Sequence, residues 1–395
     1  MGCEKVNLEE RSILVTGATG FLGGRLTEQL LLSNKQIKVR ALVHNPHHAS
    51  RISNLPLERV FGDITSLEAM CAATQGCDAV VHCALSNPAK TVRGTECIIR
   101  AALANRVKKF IHISSVAVYS YSPSAESIKN EVSNYRHTGD SYCDSKIDSE
   151  KIAFSYYDSK KLPLVVLRPS NIFGPYSKTW TIDPIDMLKR KSCVLINGGF
   201  SPSNVVFVDN VVDAIKAAIE NDDEIGQAFN ISSDKVTDWR TFFLRYAKMF
   251  VNPPPVLNIK QEDVKAERQR QYSALLKKMV VSPRQIPAIL TLLSDERKIA
   301  RLLVSLTPNL HVKNRAISQD SFLPSAAKIN FSVNAKGANS PILNHVPNRN
   351  LEKLFTLPYQ YPIINAMNVL GYKPRVSFEE GMRITEEWAK YHKLV

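Results

Sequence analysis

Eight residues near the start of the chain, Thr16-Gly17-Ala18-Thr19-Gly20-Phe21-Leu22-Gly23, constrain its fold more than any other feature. Before them runs Ser12-Ile13-Leu14-Val15-Thr16, which reads as a strand buried on both faces. After them an apolar-periodic stretch from Phe21 to about Leu32 reads as a helix. Glycine at 17 permits the tight turn, at 20 the close approach of a pyrophosphate, and at 23 the packing of helix on strand. The helix N-terminus then offers free N–H groups and a partial positive charge to phosphates. A G-x-x-G-x-x-G turn in that strand–helix setting implies a dinucleotide site built from Gly17, Thr19, Gly20, Phe21, Leu22 and Gly23.

The pattern continues as alternating short apolar runs and helical stretches, the mark of βαβ units. Strands are expected at Lys38–Val43, Arg59–Phe61, Ala79–Cys83, Phe110–Ser114 and Leu164–Leu167, then near 205–208 and 228–231. Helices are expected over roughly 66–74, 91–106, 141–160, 210–220 and 238–250, and in a closing segment up to Tyr391. The fold class is α/β: a Rossmann-type doubly wound parallel sheet with a smaller C-terminal substrate part carrying a basic, mainly helical insertion. Residues 1–235 form the dinucleotide-binding domain, with parts of the substrate cleft from 170 on. Residues 236–395 form the substrate part, including the insertion at about 253–345. No internal repeat is visible.

Charge is unevenly placed. The chain carries +14 overall, and 18 Lys/Arg against 6 Asp/Glu fall between Arg240 and Asn350. The rest is close to neutral, so the basic stretch reads as a separate surface. Seven cysteines show no C-x-x-C pair and no metal-ligand spacing, and the nine histidines form no H-E-x-x-H. No metal is expected, and a reducing, cytoplasmic compartment follows. No window is long and apolar enough to span a bilayer, and no secretory signal is read at the start. Met1-Gly2-Cys3 is not taken as an acylation site, because Val6 stands where Ser or Thr is wanted.

An acidic residue at the end of the second strand would hold the ribose of NAD. Here the strand ends Val43-His44-Asn45, with Arg40, His47, His48 and Arg51 nearby. Missing carboxylate and local positive charge favour NADP, with NAD as the alternative and His44 beside the 2′ position. Asp63, after the third strand, is placed to meet the adenine amine or else to cap the helix beginning near Ser66.

Tyr142-Cys143-Asp144-Ser145-Lys146 sets a phenol and an ammonium four residues apart, on one helical face. An adjacent cation lowers a phenol's pKa, and the phenol can then exchange a proton with a substrate oxygen while nicotinamide exchanges hydride. Ser114-Ser115 end the fifth strand at the carboxyl edge of the sheet, where ligands bind.

These motifs together resemble the extended short-chain dehydrogenase/reductase family, the NAD-dependent epimerase/dehydratase group. The likeness is carried by Thr16 to Gly23, Gly62-Asp63-Ile64, Val80 to Ala84, Gly94-Thr95, Ile113 to Tyr119, Tyr142 to Lys146, Leu167 to Pro175 and Val206 to Val212. Leu370 to Trp388 is similar to the family's closing segment, whereas 253–345 matches nothing in it. The resemblance implies Tyr142 as general acid/base, Lys146 as ribose ligand and pKa modulator, and Ser115 as hydrogen-bond partner of the reacting oxygen. It further implies that Ile64 belongs to the cofactor site, and that Ala84 with its following loop and Pro169 line the nicotinamide.

Two departures narrow it. An Arg that often precedes the F-x-x-V-D segment and binds a sugar-nucleotide diphosphate is replaced by Ser203-Asn204. The Asp-Glu pair of sugar dehydratases is replaced by Val116-Ala117 after Ser115. The strand Val39-Arg40-Ala41-Leu42-Val43 and Val208 to Val212 are more similar to the dihydroflavonol-reductase and 3β-hydroxysteroid-dehydrogenase branch. The expected activity is a secondary alcohol/ketone oxidoreduction on a small-molecule substrate. A nucleotide-sugar epimerase holding NAD tightly is the alternative, and a non-catalytic NADP sensor a third. Within the insertion, Ile286, Ile289, Leu290 and Leu293, then Ile299, Leu302, Leu303 and Leu306, fall at helical spacing. They read as a lid over the substrate or as a basic amphipathic pair resting on an anionic membrane. Aromatic residues are sparse among the basic ones, so nucleic acid is not an expected partner; a homodimer is.

Overall fold

A computed structural model describes residues 11–33, 37–119, 130–131, 136–221, 226–279, 347 and 349–395. The apolar pairs of the insertion, 282–306, lie outside the described residues. Among those described, seven parallel strands form one sheet: β1 (Ser12–Thr16), β2 (Lys38–Val43), β3 (Glu58–Phe61), β4 (Ala79–His82), β5 (Lys109–Ile113), β6 (Leu164–Pro169) and β10 (Gln227–Ile231). Their order is β3-β2-β1-β4-β5-β6-β10. The chain therefore leaves β1 in both directions, and the crevice at its carboxyl end is the switch point where such sheets bind ligands.

Helices cover both faces because the strands are apolar on both. On one side α1 (Phe21–Ser33) and α6 (Val208–Glu220) pack Leu26, Leu30, Val211 and Ile215 against Val15, Val39 and Val81. Ala366, Leu370 and Tyr372, from the far end of the chain, close the same cluster. On the other side α2 (Leu67–Thr74), α3 (Pro88–Ala104) and α4 (Ser141–Lys160) cover Leu14, Val80, Phe110 and Val166.

Beside the sheet's carboxyl edge lies a second apolar cluster, rich in aromatic residues. Phe173 of β7 (Asn171–Phe173) and Phe207 of β9 (Val205–Phe207) meet Trp239, Phe242 and Tyr246 of α7 (Trp239–Ala247). The helices at Arg349–Thr356 and Phe378–Tyr391 add Phe355, Met382 and Ala389. The short helix α5 (Asp183–Lys189), the paired three-residue strands β8 (Val194–Ile196) and β11 (Leu257–Ile259), and the polar helix α8 (Gln261–Met279) complete this part. β7, β8 and β11 were not expected from the sequence pattern, whereas α8 falls in the insertion expected to be mainly helical. Among the described residues, no helix is long and apolar enough to cross a membrane.

Candidate active site

The glycine turn does what its spacing requires. Gly17 adopts φ +70°, and a Cβ on it would come within 2.9 Å of the Ala84 backbone. A Cβ on Gly23 would strike the Gly17 carbonyl, so α1 can start this close to β1 only with glycine there. Gly20 is exposed, its N–H bonded to Gly17 O at 2.9 Å, and it leaves the face above the α1 N-terminus bare. A pyrophosphate fits that cradle. Thr19, Phe21 and Leu22 surround it half-buried.

The adenosine end departs from expectation. Arg40 pairs with Glu58, its partner in the β2–β3 register, at 2.8 Å, and also donates to the Ala73 and Gln75 carbonyls. Arg51 donates to Glu28 at 2.7 Å and to Phe21 O, and stacks over Tyr176. Both guanidinium groups counted toward a 2′-phosphate are thus committed elsewhere, and the charge argument for NADP fails. His44 is exposed, 3.9 Å from the Asp63 carboxylate. Asp63 accepts from the Thr65 backbone and hydroxyl, which hold its carboxyl below the usual range, and Lys90 lies 3.8 Å away. Asp63 does not cap α2; Ser66 does, accepting from Ala69 N. Ile64 is half-buried beside Gly94, where a Cβ would collide with it.

Ala84, Ser115 and the buried Pro169 stand at the carboxyl ends of the adjacent strands β4, β5 and β6. Tyr142 and Lys146 reach that edge from α4, Tyr142 to Ser115 and Lys146 to Ile113 O. Asp140 caps α4 by accepting from Cys143 N at 2.9 Å, which presents Tyr142 and Lys146 on the face toward the sheet. Tyr142 and Ser115 share a side-chain hydrogen bond. Burial pushes the phenol up to about 12, with the Ser115 bond acting in the opposite direction. The expected lowering by an adjacent ammonium does not prevail, because burial is the largest influence on the phenol; Lys146 instead donates to Ile113 O at 2.9 Å. Burial brings Lys146 itself down to about 8, opposed by Cys83 and Glu150.

Sequence reasoning missed the layer beneath this pair. Glu150, one helical turn beyond Lys146, is fully buried and accepts from Ser114 Oγ at 2.6 Å and Arg168 Nε at 3.0 Å. Arg168 also donates to Tyr119 Oη at 2.8 Å, and Tyr119 to Asn230 at 2.8 Å. The Tyr142, Lys146, Glu150 spacing was available as a signal; the identity of its partners was not. His82 and His112, stacked with ring centroids 5.6 Å apart, are buried and held neutral by that burial, His82 at about 3.

Where sugar-nucleotide enzymes often place an Arg, Ser203 is fully buried and gives its N–H and hydroxyl to Thr237 O, both at 2.7 Å. Asn204 donates to Tyr359 O, and Asn171 to Ser203 O. This position is neutral and closed on itself.

A switch-point glycine cradle beside a Ser/Tyr/Lys set defines an extended short-chain dehydrogenase/reductase. The family model for the NAD dependent epimerase/dehydratase family matches residues 13–232, and the chain belongs to that family. It is 29% identical over 281 residues to a dTDP-D-glucose 4,6-dehydratase of Dictyostelium discoideum, a match covering 63% of each chain. The chain thus spans less than two thirds of that relative's length. A 4-hydroxy-2-methyl-3-oxo-4-farnesyl-3,4-dihydroquinoline-1-oxide ketoreductase of Stigmatella aurantiaca is 24% identical, over 58% of this chain and 70% of its own. The fold is that of a dTDP-glucose 4,6-dehydratase from Bacillus anthracis solved with NAD: TM-score 0.65, 16% identity, 97% of both chains covered. The match does not reach to the narrower reductase branch.

Proposed function

We propose that this chain is an NAD(H)-dependent oxidoreductase that interconverts a secondary alcohol and a ketone. The observation that carries this reading is the Ser115–Tyr142 hydrogen bond at the sheet's carboxyl edge, with a phenol whose value burial raises. Nicotinamide, when bound, supplies or accepts the hydride. In reduction, Ser115 and Tyr142 bind the substrate oxygen, and Tyr142 gives it the phenolic proton. Oxidation runs these steps in reverse and requires Tyr142 as its phenolate, which takes the proton of the substrate hydroxyl. Lys146 would hold the ribose side of the site, and the Gly17 turn with the bare Gly20 would leave the α1 N-terminus open to the diphosphate. NAD is preferred to NADP because Arg40 and Arg51 are already paired; the NAD in the Bacillus anthracis relative agrees with this.

The neutral Ser203-Asn204 position speaks against a nucleoside-diphosphate substrate, and buried Val116 and Ala117 against 4,6-dehydration. The ketoreductase relative supports a substrate of that other kind. A nucleotide-sugar epimerase with retained NAD is the second reading; the Dictyostelium relative, a dTDP-D-glucose 4,6-dehydratase, supports its nucleotide-sugar substrate class and not the epimerisation itself. Purified protein tests both. NADH consumed with a ketone panel, and lost by about 10²–10⁴-fold in Tyr142→Phe with NADH binding intact, supports the reductase. Co-purified NAD with interconversion of UDP- or dTDP-sugars would instead favour the epimerase. Full turnover in Tyr142→Phe would remove the mechanism.

A further inference from the structure

The loop joining β4 to α3 is held at two points. Ala84 N–H donates to Thr16 Oγ1 at 3.2 Å, and Ser86 N–H donates to Thr91 Oγ1, which donates back to Ser86 O, both at 3.0 Å. His82 stands between the two clips. Its Nδ1 is 2.8 Å from Thr16 Oγ1, and its Nε2 is 3.1 Å from Thr95 Oγ1.

Hydrogen-bond accounting assigns the tautomer. Thr95 has one hydroxyl proton and gives it to Thr91 O at 2.9 Å. Toward His82 it can therefore only accept, so Nε2 carries a proton. The ring is neutral, because it is buried and faces the Lys146 ammonium from α4 and the neutral His112 ring from β5. Nδ1 is then bare and accepts the Thr16 proton, leaving a Thr16 lone pair for Ala84 N–H. The chain runs one way, from Ala84 through Thr16, His82 and Thr95 to Thr91 O. A charged ring, or the other tautomer, would strand a buried donor or acceptor at a cost of about 1–3 kcal/mol.

We propose that His82, as its Nε2–H tautomer, is a positioning residue that sets the Ala84 backbone against the Gly17 turn, at the mouth of the nicotinamide site. This rests on the reading that Ala84 lines that site. A Cβ at Gly17 would lie 2.9 Å from Ala84, so little movement of either is possible without disturbing the other.

Three variants and one spectrum test it. Side-chain ¹⁵N resonances, with His82 identified by its loss in His82→Asn, should show Nδ1 unprotonated and Nε2 protonated from about pH 5 to about pH 9. His82→Phe removes both ring bonds, Thr16→Val removes the middle link without altering the ring, and His82→Asn can still accept from Thr16. The first two should lose about tenfold to a hundredfold in turnover, and His82→Asn should recover most of it. A protonated Nδ1, or wild-type turnover in both His82→Phe and Thr16→Val, overturns the proposal. Should His82→Phe fail to fold, Thr16→Val and the spectrum still decide. A wild-type protein that binds no NADH would sink the functional reading, and the ring resonances would still judge the His82 chain.

Discussion

Asn350 donates to the Asp140 carboxylate across 2.6 Å, tying the helix at Arg349–Thr356 to the cap of the catalytic helix. The two residues are 210 positions apart in sequence. Leu357, Tyr359 and Tyr361 extend the attachment by packing on Val116, Val118, Tyr119 and Ile147. The start of α4, and with it Tyr142, is therefore held by the C-terminal part of the chain. Asp140→Ala should cost about 1–2 kcal/mol, since it loses the cap and the Asn350 bond together. Asn350→Ala should cost less, because Asp140 still accepts from Cys143 N. Urea unfolding of the two variants checks the order; equal losses would mean the cap contributes little.

The glycines differ in what they protect. Gly23→Ala forces a methyl into the Gly17 carbonyl and should lower Tm sharply or prevent folding. A Cβ on Gly20 meets only Gly17 O, at 3.2 Å, on a face otherwise open. Gly20→Ala should therefore fold nearly normally and lose NADH affinity, because its methyl stands where the pyrophosphate approaches. Calorimetry with and without NADH separates the two effects, and undiminished binding in Gly20→Ala would argue against the cradle.

Lys146 makes stability depend on alkaline pH. Its pKa is about 8 in the folded chain against 10.5 when free. Between those values the unfolded chain keeps a proton that the folded chain has lost, so stability rises with pH. The rise amounts to at most about 3 kcal/mol, and the contribution is flat below about pH 8. Tyr142, raised from 10 to about 12, acts the other way at higher pH, where the folded chain keeps its proton longer. Replacing Lys146 with Met should abolish the rise. Parallel denaturant titrations at about pH 7 and about pH 10 would show the wild type gaining on the variant, and a constant difference would contradict the linkage.

The Arg168–Glu150 pair is buried on both sides. Removing only the cation, in Arg168→Met, strands the carboxylate and should cost about 3–5 kcal/mol. Adding Glu150→Gln should restore part of that, because a neutral amide needs no counter-charge. A double variant no more stable than the single one would show that shape, not charge, governs this layer.

The sheet was legible because its code is local: strands and helices differ in apolar period over a few residues, and the glycine turn marks where one becomes the other. Tyr142 and Lys146 were legible for the same reason, since four residues on a helix is one face. Glu150 continues that face and could have been read. The three-residue strands β7, β8 and β11 could not, being too short to show a period; β9, equally short, was read because it lies in the continuous apolar run Val205-Val206-Phe207-Val208.

What the sequence by itself determined is the order of βαβ units, the glycine cradle and the face of α4 that carries the acid/base pair. Only the tertiary structure decided which charges remain free. Arg40 finds Glu58 on a neighbouring strand and Arg51 finds Glu28, so a tally of nearby cations does not give the charge left free to meet a 2′-phosphate; Arg168 likewise finds Glu150. Burial likewise raised the Tyr142 phenol where adjacency to Lys146 had suggested lowering it. Secondary structure follows from neighbours in sequence, whereas charge state follows from solvent exclusion and from partners that meet only after the chain has folded.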